Sequence, residues 1–133
     1  MINQLFRFAA AGVIGFVIDV AVLYLLVTMG IGLLQGRIGS FLAAATTTWM
    51  VNRHYTFGDC PPPPGLAATG HQWLRFVAAN ALGGTVNLLI YGLLVMNLPM
   101  FREFPVLAVA AGALGGLAVN YNASRYWVFR NAS

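Results

Sequence analysis

Four long apolar runs, separated by short polar segments, divide this chain. The first extends from Phe8 to Met29. A helix of that length rises about 33 Å at 1.5 Å per residue, enough to cross the hydrocarbon core of a bilayer. The other runs extend from Leu33 to Val51, from Leu74 to Met96 and from Pro105 to Tyr121. The pattern predicts an all-α integral membrane protein with four transmembrane helices.

The composition indicates that lipid is the solvent for most of the surface. Of the 133 residues, 59% are hydrophobic and 8% are charged, whereas a soluble domain has about a quarter of its residues charged. The net charge of +4 does not indicate nucleic-acid binding. Every basic residue is an arginine near the end of an apolar run, where positive charge sets the orientation of membrane helices. We expect no nucleic acid among the partners.

The distribution of arginines predicts the orientation of the helices, because short loops rich in Lys and Arg stay in the cytoplasm. The N-terminal segment, the central polar segment and the C-terminal tail contain Arg7, Arg53, Arg75, Arg125 and Arg130. Arg37 and Arg102 lie on the other side, where Arg37 is expected to extend its side chain to the interface. We therefore expect a multi-pass protein of the cytoplasmic (inner) membrane with both termini in the cytoplasm.

The sequence also contains an internal repeat. Residues 5–19 align with residues 73–87, and residues 52–57 align with residues 124–129. The predicted divisions are a first two-helix repeat (1–57), a proline-rich cytoplasmic linker (58–72) and a second two-helix repeat (73–133). Because each half crosses the membrane twice, the two repeats must be parallel. Parallel repeats occur in transporters that bind their substrate between the halves.

Small and polar residues recur on one face of each predicted helix. On the first helix, Phe8, Gly12, Gly15 and Asp19 are four, three and four residues apart, so they share a face. The candidate intramembrane polar path consists of Asp19, Asn52, Asn80, Asn87 and Asn120. The alternative is that these small and polar residues only pack the helices together.

Asp19 is the most informative of these residues. A carboxylate at mid-bilayer costs about 2.5 to 3.5 kcal/mol on insertion scales, so it needs a partner or a role. As a packing residue it would be protonated and hydrogen-bonded to Asn87 or to a threonine among Thr46–Thr48. As a functional residue it would carry a proton or contact a polar sugar head group. A third hypothesis is a small cation exporter, in which this acidic residue binds proton and drug alternately.

Arginines at the cytoplasmic surface are candidates for phosphate binding, because guanidinium groups offer forked donors to phosphate oxygens. Four of them recur at equivalent places in the two repeats: Arg7, Arg53, Arg75 and Arg125. The aromatic side chains expected beside them at the interface are Phe8, Tyr55, Phe76 and Trp127. The alternative role for these arginines is topology and interfacial anchoring.

Catalytic chemistry is not indicated. The sequence has no G-x-S-x-G motif, no P-loop and no paired carboxylates within reach. Its single cysteine, Cys60, excludes an intrachain disulfide and a Cys/His zinc pattern. We expect a protein that is not an enzyme and that has no catalytic residues, no metal and no cofactor. The small-residue faces on every helix predict a homo-oligomer.

The repeated residues resemble the signature of the GtrA-like family of small membrane proteins. In the first half the resemblance rests on residues 7–24 and 52–57, and in the second half on residues 75–87 and 120–129. It implies a role in cell-surface polysaccharide synthesis, as a protein that moves a polyprenyl-phosphate-linked sugar across the cytoplasmic membrane or as a membrane anchor for a glycosyltransferase. The partners it implies are the lipid-linked sugar, membrane lipids and a glycosyltransferase.

Overall fold

The computed structural model describes residues 1–130, and within that range the chain folds into helices without β-strands. The helices are α1 (Ile2–Thr28), α2 (Leu33–Val51), α3 (Gly65–Asn97), α4 (Pro99–Glu103) and α5 (Pro105–Ala123). Three segments are long and apolar enough to cross a membrane: α1, α3, and α5 together with the turn that follows it to Val128. The predicted all-α class is confirmed, and the chain is a membrane protein.

α2 differs from the other long helices in composition. Its 19 residues rise about 28 Å, but Gln35, Arg37 and the three threonines Thr46–Thr48 make it less apolar. Each of these threonine hydroxyls donates to the carbonyl oxygen four residues earlier, at 2.7 to 2.9 Å. The bounds of α2 agree with the predicted run from Leu33 to Val51. That α2 forms a fourth membrane crossing stays a prediction.

α3 begins earlier than the apolar pattern predicted. It starts at Gly65 rather than at Leu74, so the predicted linker 58–72 is non-helical only as far as Pro64. Gly65 has a φ of 84°, a left-handed conformation that glycine adopts without strain and that turns the chain into the helix. The 33 residues of α3 rise about 50 Å, more than the thickness of a hydrocarbon core. Residues 131–133 of the predicted second repeat lie outside the described residues.

The long helices form two packed pairs. α1 packs against α2 (the first pair) and α3 packs against α5 (the second pair), with fewer contacts between the pairs. A Cβ atom on Gly15 would overlap the hydroxyl group of Thr48, and a Cβ atom on Gly83 would overlap the side chain of Asn120. Small residues allow helices to approach this closely in a bilayer. The spacing within each pair is therefore set by a glycine of its first helix.

Both pairs end in a wide turn. After α2 a π-helical turn covers Asn52–Thr56, and after α5 another covers Ser124–Val128. In each, the amide that follows the turn donates to the carbonyl oxygen of the turn's first residue, at 2.8 Å. The residues that follow the turns are Phe57 and Phe129, and their rings stack with centroids 4.7 Å apart. The two turns therefore meet through this aromatic contact.

A group of buried side chains joins the two pairs at this end. We call it the aromatic cluster, and its members are Phe8, Phe57, Phe76, Ala79, Tyr121, Val128 and Phe129. The ring of Phe8 packs edge-on against Tyr121, with centroids 5.6 Å apart. Arg7, Arg53 and Arg125 lie around the cluster, so we call this end of the molecule the arginine end.

The opposite end, which we call the loop end, contains the turn at 29–32 and the short helix α4. Arg102 of α4 donates from Nε to the carbonyl oxygen of Val95, at 2.8 Å, and from Nη2 to that of Met96, at 2.7 Å. These carbonyl groups belong to the last turn of α3 and have no partner within the helix. Arg102 therefore caps α3.

Candidate functional site

A cleft of about 470 Å³ lies between α1 and the second pair. We call it the central cleft. Its polar lining consists of Asn80, Asn87 and Asn120, and Gly12 and Phe16 of α1 form the opposite wall. The side chain of Phe16 is largely exposed on the outer surface of the molecule. The central cleft therefore opens sideways, onto the surface that faces lipid.

A second cavity, of about 270 Å³, extends the central cleft toward the first pair. It shares Gly12, Asn80 and Asn120 with the cleft, and it is also lined by Asp19 and Thr48. Because the two cavities have walls in common, they form one connected polar region. The predicted path residues in this region are Asp19, Asn80, Asn87 and Asn120.

Asn52, the fifth predicted path residue, lines neither cavity. It is fully buried at the start of the first wide turn, where its Oδ1 accepts a hydrogen bond from Thr56 Oγ1 at 2.7 Å. Its Nδ2 has no partner within residues 1–130. Ser124, which starts the second wide turn, is also fully buried, and its Oγ likewise has no partner within that range. Asn52 belongs to the packing of the helix end.

Asp19 forms an ion pair with Arg37 across the first pair. Nη1 of Arg37 donates to both carboxylate oxygens, at 2.7 Å to Oδ1 and 2.6 Å to Oδ2. The partners expected from the sequence, Asn87 or one of Thr46–Thr48, were wrong, whereas the expectation that Arg37 extends to the interface stays a prediction. The threonine hydroxyls are occupied by backbone carbonyls of their own helix. In a low dielectric, a charged partner also outweighs a neutral one.

The sequence did contain a signal for this pair. Residues at equal distances from the turn of a helical hairpin lie at the same level, and the turn between α1 and α2 is centred near residues 30 and 31. Asp19 is about five residues farther from that centre than Arg37, which corresponds to about 7 Å along the axis. The long side chain of an arginine can span such a gap.

The predicted phosphate-binding arginines lie at the arginine end, and three of them have different partners. Arg7 donates from Nη1 to the carbonyl oxygen of Tyr55, at 3.1 Å. Arg125 donates from Nη1 to the hydroxyl oxygen of Tyr121, at 3.3 Å. The guanidinium of Arg53 lies 5.5 Å from the ring centroid of Trp49, a cation–π distance. Arg7 and Arg125 are therefore linked to the aromatic cluster and the turn before it.

Three cavities at the arginine end each contain a different one of these arginines. Arg53 lines a cavity of about 270 Å³, Arg125 one of about 420 Å³ and Arg75 one of about 520 Å³. Arg130 lines both the Arg125 cavity and the Arg75 cavity. It was not among the phosphate-binding residues predicted from the sequence. The structure brings the arginines to one end of the molecule, where Arg53 and Arg75 line cavities beside the proline-rich segment 61–64.

The aromatic residues predicted at the interface divide into two groups. Tyr55 is 70% exposed and Trp127 is 47% exposed, as expected for interfacial side chains. Phe8 and Phe76 are instead buried in the aromatic cluster. Their helix faces are turned toward the other pair, so their rings stabilise the joint between the pairs rather than contact lipid headgroups.

Cys60 lies between the two wide turns. Its Sγ–H donates to the carbonyl oxygen of Phe129, at 3.1 Å, so the segment after the first pair is tied to the end of the second. Burial raises the pKa of the Cys60 thiol, and the negative charge of Asp59 raises it further. The thiol form is therefore favoured in the folded protein.

Comparison with known sequences gives the family. The family model of the GtrA/DPMS transmembrane domain matches residues 7–131. The chain belongs to this family. The uncharacterized membrane protein YngA of Bacillus subtilis (strain 168) is 31% identical over 129 residues, which are 96% of this chain and 80% of that protein. The resemblance seen in the sequence is confirmed, and membership of the GtrA/DPMS family indicates a role in a membrane process that involves glycosyl lipids.

Proposed function

We propose that this protein moves a polyprenyl-phosphate-linked sugar across the cytoplasmic membrane for the synthesis of a cell-surface polysaccharide. The observation that carries the proposal is the central cleft with its extension, a polar region between helices that are otherwise apolar. In this proposal α2 is a fourth crossing, both termini are cytoplasmic, and the two pairs are parallel repeats with the substrate between them.

The lining of the cleft suits a sugar. Hydroxyl groups that leave water need hydrogen-bond partners, and the asparagine side chains offer both donors and acceptors. Oδ1 of Asn120 is buried against Gly83 and accepts no hydrogen bond from any residue in 1–130, so its polarity lies unbalanced in the wall of the cleft. The sideways opening beside Phe16 leaves a path for the polyprenyl chain to stay in lipid while the sugar is in the cleft.

The arginine end suits the phosphate. In the proposed orientation it faces the cytoplasm, where lipid-linked sugars are assembled, and Arg7, Arg53, Arg75 and Arg125 lie around its cavities and surface. Guanidinium groups bind phosphate oxygens through charge-assisted hydrogen bonds. We propose that these arginines attract the substrate before its sugar enters the cleft, and that the protein itself catalyses no covalent step.

The arginine end also supports a second candidate function, a membrane anchor that recruits a glycosyltransferase. The cavities of about 420 and 520 Å³ at Arg125, Arg75 and Arg130 are lined by residues other than those of the central cleft, and Tyr55 and Tyr126 are exposed beside this end. A cationic, aromatic surface of this kind fits a protein partner. The cation exporter is less well supported, because the carboxylate of Asp19 is already paired with Arg37.

The test is translocation of a fluorescent short-chain polyprenyl-phosphate sugar in proteoliposomes that contain only this protein. We expect Asn120→Leu, in protein shown to be folded, to reduce the rate at least tenfold, because it removes an amide from the lining of the cleft. The matched control is Asn122→Leu, since Asn122 lies on the same helix with an exposed side chain. Folded wild-type protein that moves no more substrate than empty vesicles would contradict the flippase, and loss of a glycosyltransferase from the membrane on deletion would then favour the anchor.

A further inference from the structure

Arg37 lies far from the arginines of the arginine end. It is 16 residues before Arg53 in the sequence, which corresponds to about 24 Å along the axis of α2. Arg53 marks the arginine end, whereas Arg37 lies in the half of the molecule toward the loop end. A phosphate that moves with its sugar from one end to the other would therefore leave the first group of arginines and approach Arg37.

Most of the Arg37 guanidinium is unused. Both bonds to Asp19 come from Nη1, and within residues 1–130 neither Nε nor Nη2 donates to any group. The side chain of Arg37 is 56% exposed, whereas that of Asp19 is 16% exposed. Nε and Nη2 form the edge of the guanidinium that binds two oxygens of a phosphate side by side. This edge is accessible from outside the protein.

Asp19 connects this free edge to the proposed sugar path. Its carboxylate is bonded to Arg37, and its side chain also lines the cavity that extends the central cleft. The ion pair restrains the guanidinium before any ligand arrives, which lowers the entropy lost on binding. At the same time, the negative charge of Asp19 opposes a second anion on Arg37, so the bound phosphate would be held weakly.

We infer that Arg37, positioned by Asp19, is a separate binding site for the phosphate group of a membrane lipid on the loop-end side of the protein. The inference rests on the proposed function for the identity of that lipid, a polyprenyl phosphate that has crossed the membrane. Weak binding suits a site that the lipid reaches after it has crossed the membrane, because the site must then release the lipid. Asp19 is a positioning residue here: it restrains Arg37 and limits its affinity.

The test is photo-cross-linking in phosphatidylcholine nanodiscs with a short-chain polyprenyl phosphate that has a diazirine in its first isoprene unit. Cross-linked peptides are quantified by mass spectrometry, and wild-type protein is expected to react at residues 33–41. Arg37→Ala combined with Asp19→Asn, which leaves no unpaired carboxylate, should lower that yield at least tenfold. The yield at residues 53–57 should stay unchanged in this variant, which also shows that it is folded.

Two further variants separate a binding site from a purely structural ion pair. Asp19→Asn alone should raise the yield at residues 33–41 several-fold, because the amide still accepts from Arg37 but no longer repels phosphate. Arg102→Gln is the matched control, since it removes an arginine of the loop end that bonds only to backbone, and it should leave the yield unchanged. A yield that falls in Asp19→Asn, or that survives in the double variant, would overturn the inference.

Competition identifies the source of the phosphate. Excess unlabelled polyprenyl phosphate and excess phosphatidylglycerol distinguish a carrier lipid from an ordinary anionic headgroup, and competition by either supports a lipid-phosphate site. Competition by inorganic phosphate without competition by either lipid would overturn it. If cross-linking depends on Arg37 but the protein moves no sugar lipid, the phosphate site is supported and the flippase is contradicted. Transport without such cross-linking rejects the site and keeps the flippase.

Discussion

The two helix pairs have the same framework and are held together by different forces. In the first pair, Asp19 and Arg37 form an ion pair between α1 and α2. In the second pair, Asn87 aligns with Asp19. The two wide turns are 72 residues apart, and the residue 72 positions after Arg37 is Val109. In the second pair the charges are absent, and Gly112 instead packs against the backbone of Asn87.

This difference separates two ways of holding helices together in lipid. A hydrophobic driving force is weak there, because lipid tails are as apolar as the side chains that face them. The first pair uses a charge pair, and between that pair and the loop end its packing is looser: a Cβ on Gly36 would have no neighbour nearer than 3.4 Å, although the helices are close at Gly15. The second pair uses close backbone contact at Gly112 and Gly116. At the level of Asp19 and Asn87, stability should therefore depend on charge in the first pair and on shape in the second.

The largest expected effect comes from breaking the ion pair on one side. Asp19→Ala leaves Arg37 without its anion beside lipid, and we expect the free energy of unfolding to fall by about 3 kcal/mol, the cost of an arginine in the membrane on insertion scales. Asp19→Asn with Arg37→Gln replaces the charges by a neutral hydrogen bond and should recover most of the loss. The measurement is reversible unfolding in mixed micelles, followed by circular dichroism. The matched change in the second pair, Asn87→Ala, should lower the free energy of unfolding by about 1 kcal/mol. Equal losses for Asp19→Ala and Asn87→Ala would contradict the proposed difference between the pairs.

Shape dependence can be tested with two neighbouring glycines of α5. A Cβ on Gly112 would lie 2.6 Å from the backbone carbonyl oxygen of Asn87, so Gly112→Ala must push the helices apart and should cost about 1 to 3 kcal/mol. A Cβ on Gly115 meets mainly the tip of the Ile90 side chain, which can rotate away, so Gly115→Ala should cost less. In the first pair, Gly36→Ala should be nearly neutral. Similar losses for all three variants would contradict the distinction.

The joint between the pairs should contribute less than either pair's own interface. The stacked rings of Phe57 and Phe129 are expected to have a coupling energy of about 1 kcal/mol in a double-mutant cycle with leucine. Phe57→Leu with Phe104→Leu is the control, because Phe104 is exposed at the loop end, and these two effects should add. A coupling energy near zero between the stacked rings would show that the pairs are joined by other contacts.

The smallest expected effect concerns the segment that connects the pairs. Because burial and then Asp59 raise the pKa of Cys60, the thiolate fraction at pH 8 is reduced, and alkylation by a maleimide should be slower than for a short peptide of the same sequence. Asp59→Asn should increase the rate only in part, since burial remains. Because the folded state disfavours the thiolate, stability should also fall slightly as pH rises from the unfolded pKa through the folded pKa of Cys60. Equal rates for protein and peptide across pH would contradict this.

The helix bounds were predictable where the sequence has clear local signals. α2 begins and ends as the apolar run predicted, and α5 begins at Pro105, where proline suits a first helical turn. The start of α3 at Gly65 was missed, because residues 65–72 are not an apolar run and become helical through their continuity with the helix that follows. Apolar patterns detect the part of a helix that contacts lipid, and α3 extends beyond that part.

The site residues were harder to predict, because their roles depend on neighbours distant in sequence. The spacing of Gly15 and Asp19 placed them on one face, and Asp19 does line a cavity near Asn80 and Asn120. The Asp19–Arg37 bond required the relative level of two helices, which periodicity within a single helix does not give. The burial of Phe8 likewise depends on how one pair sits against the other.

The shortness of α2 has a consequence for the choice of membrane. With 19 residues and a rise of about 28 Å, α2 as a fourth crossing is slightly shorter than a hydrocarbon core of about 30 Å. α3, at 33 residues, can tilt or project. The indole N–H groups of Trp49 and Trp73 tie α2 to α3, so the two helices cannot slide independently. A thicker bilayer would therefore strain α2 first, so the stability of this protein should depend on the thickness of its host membrane.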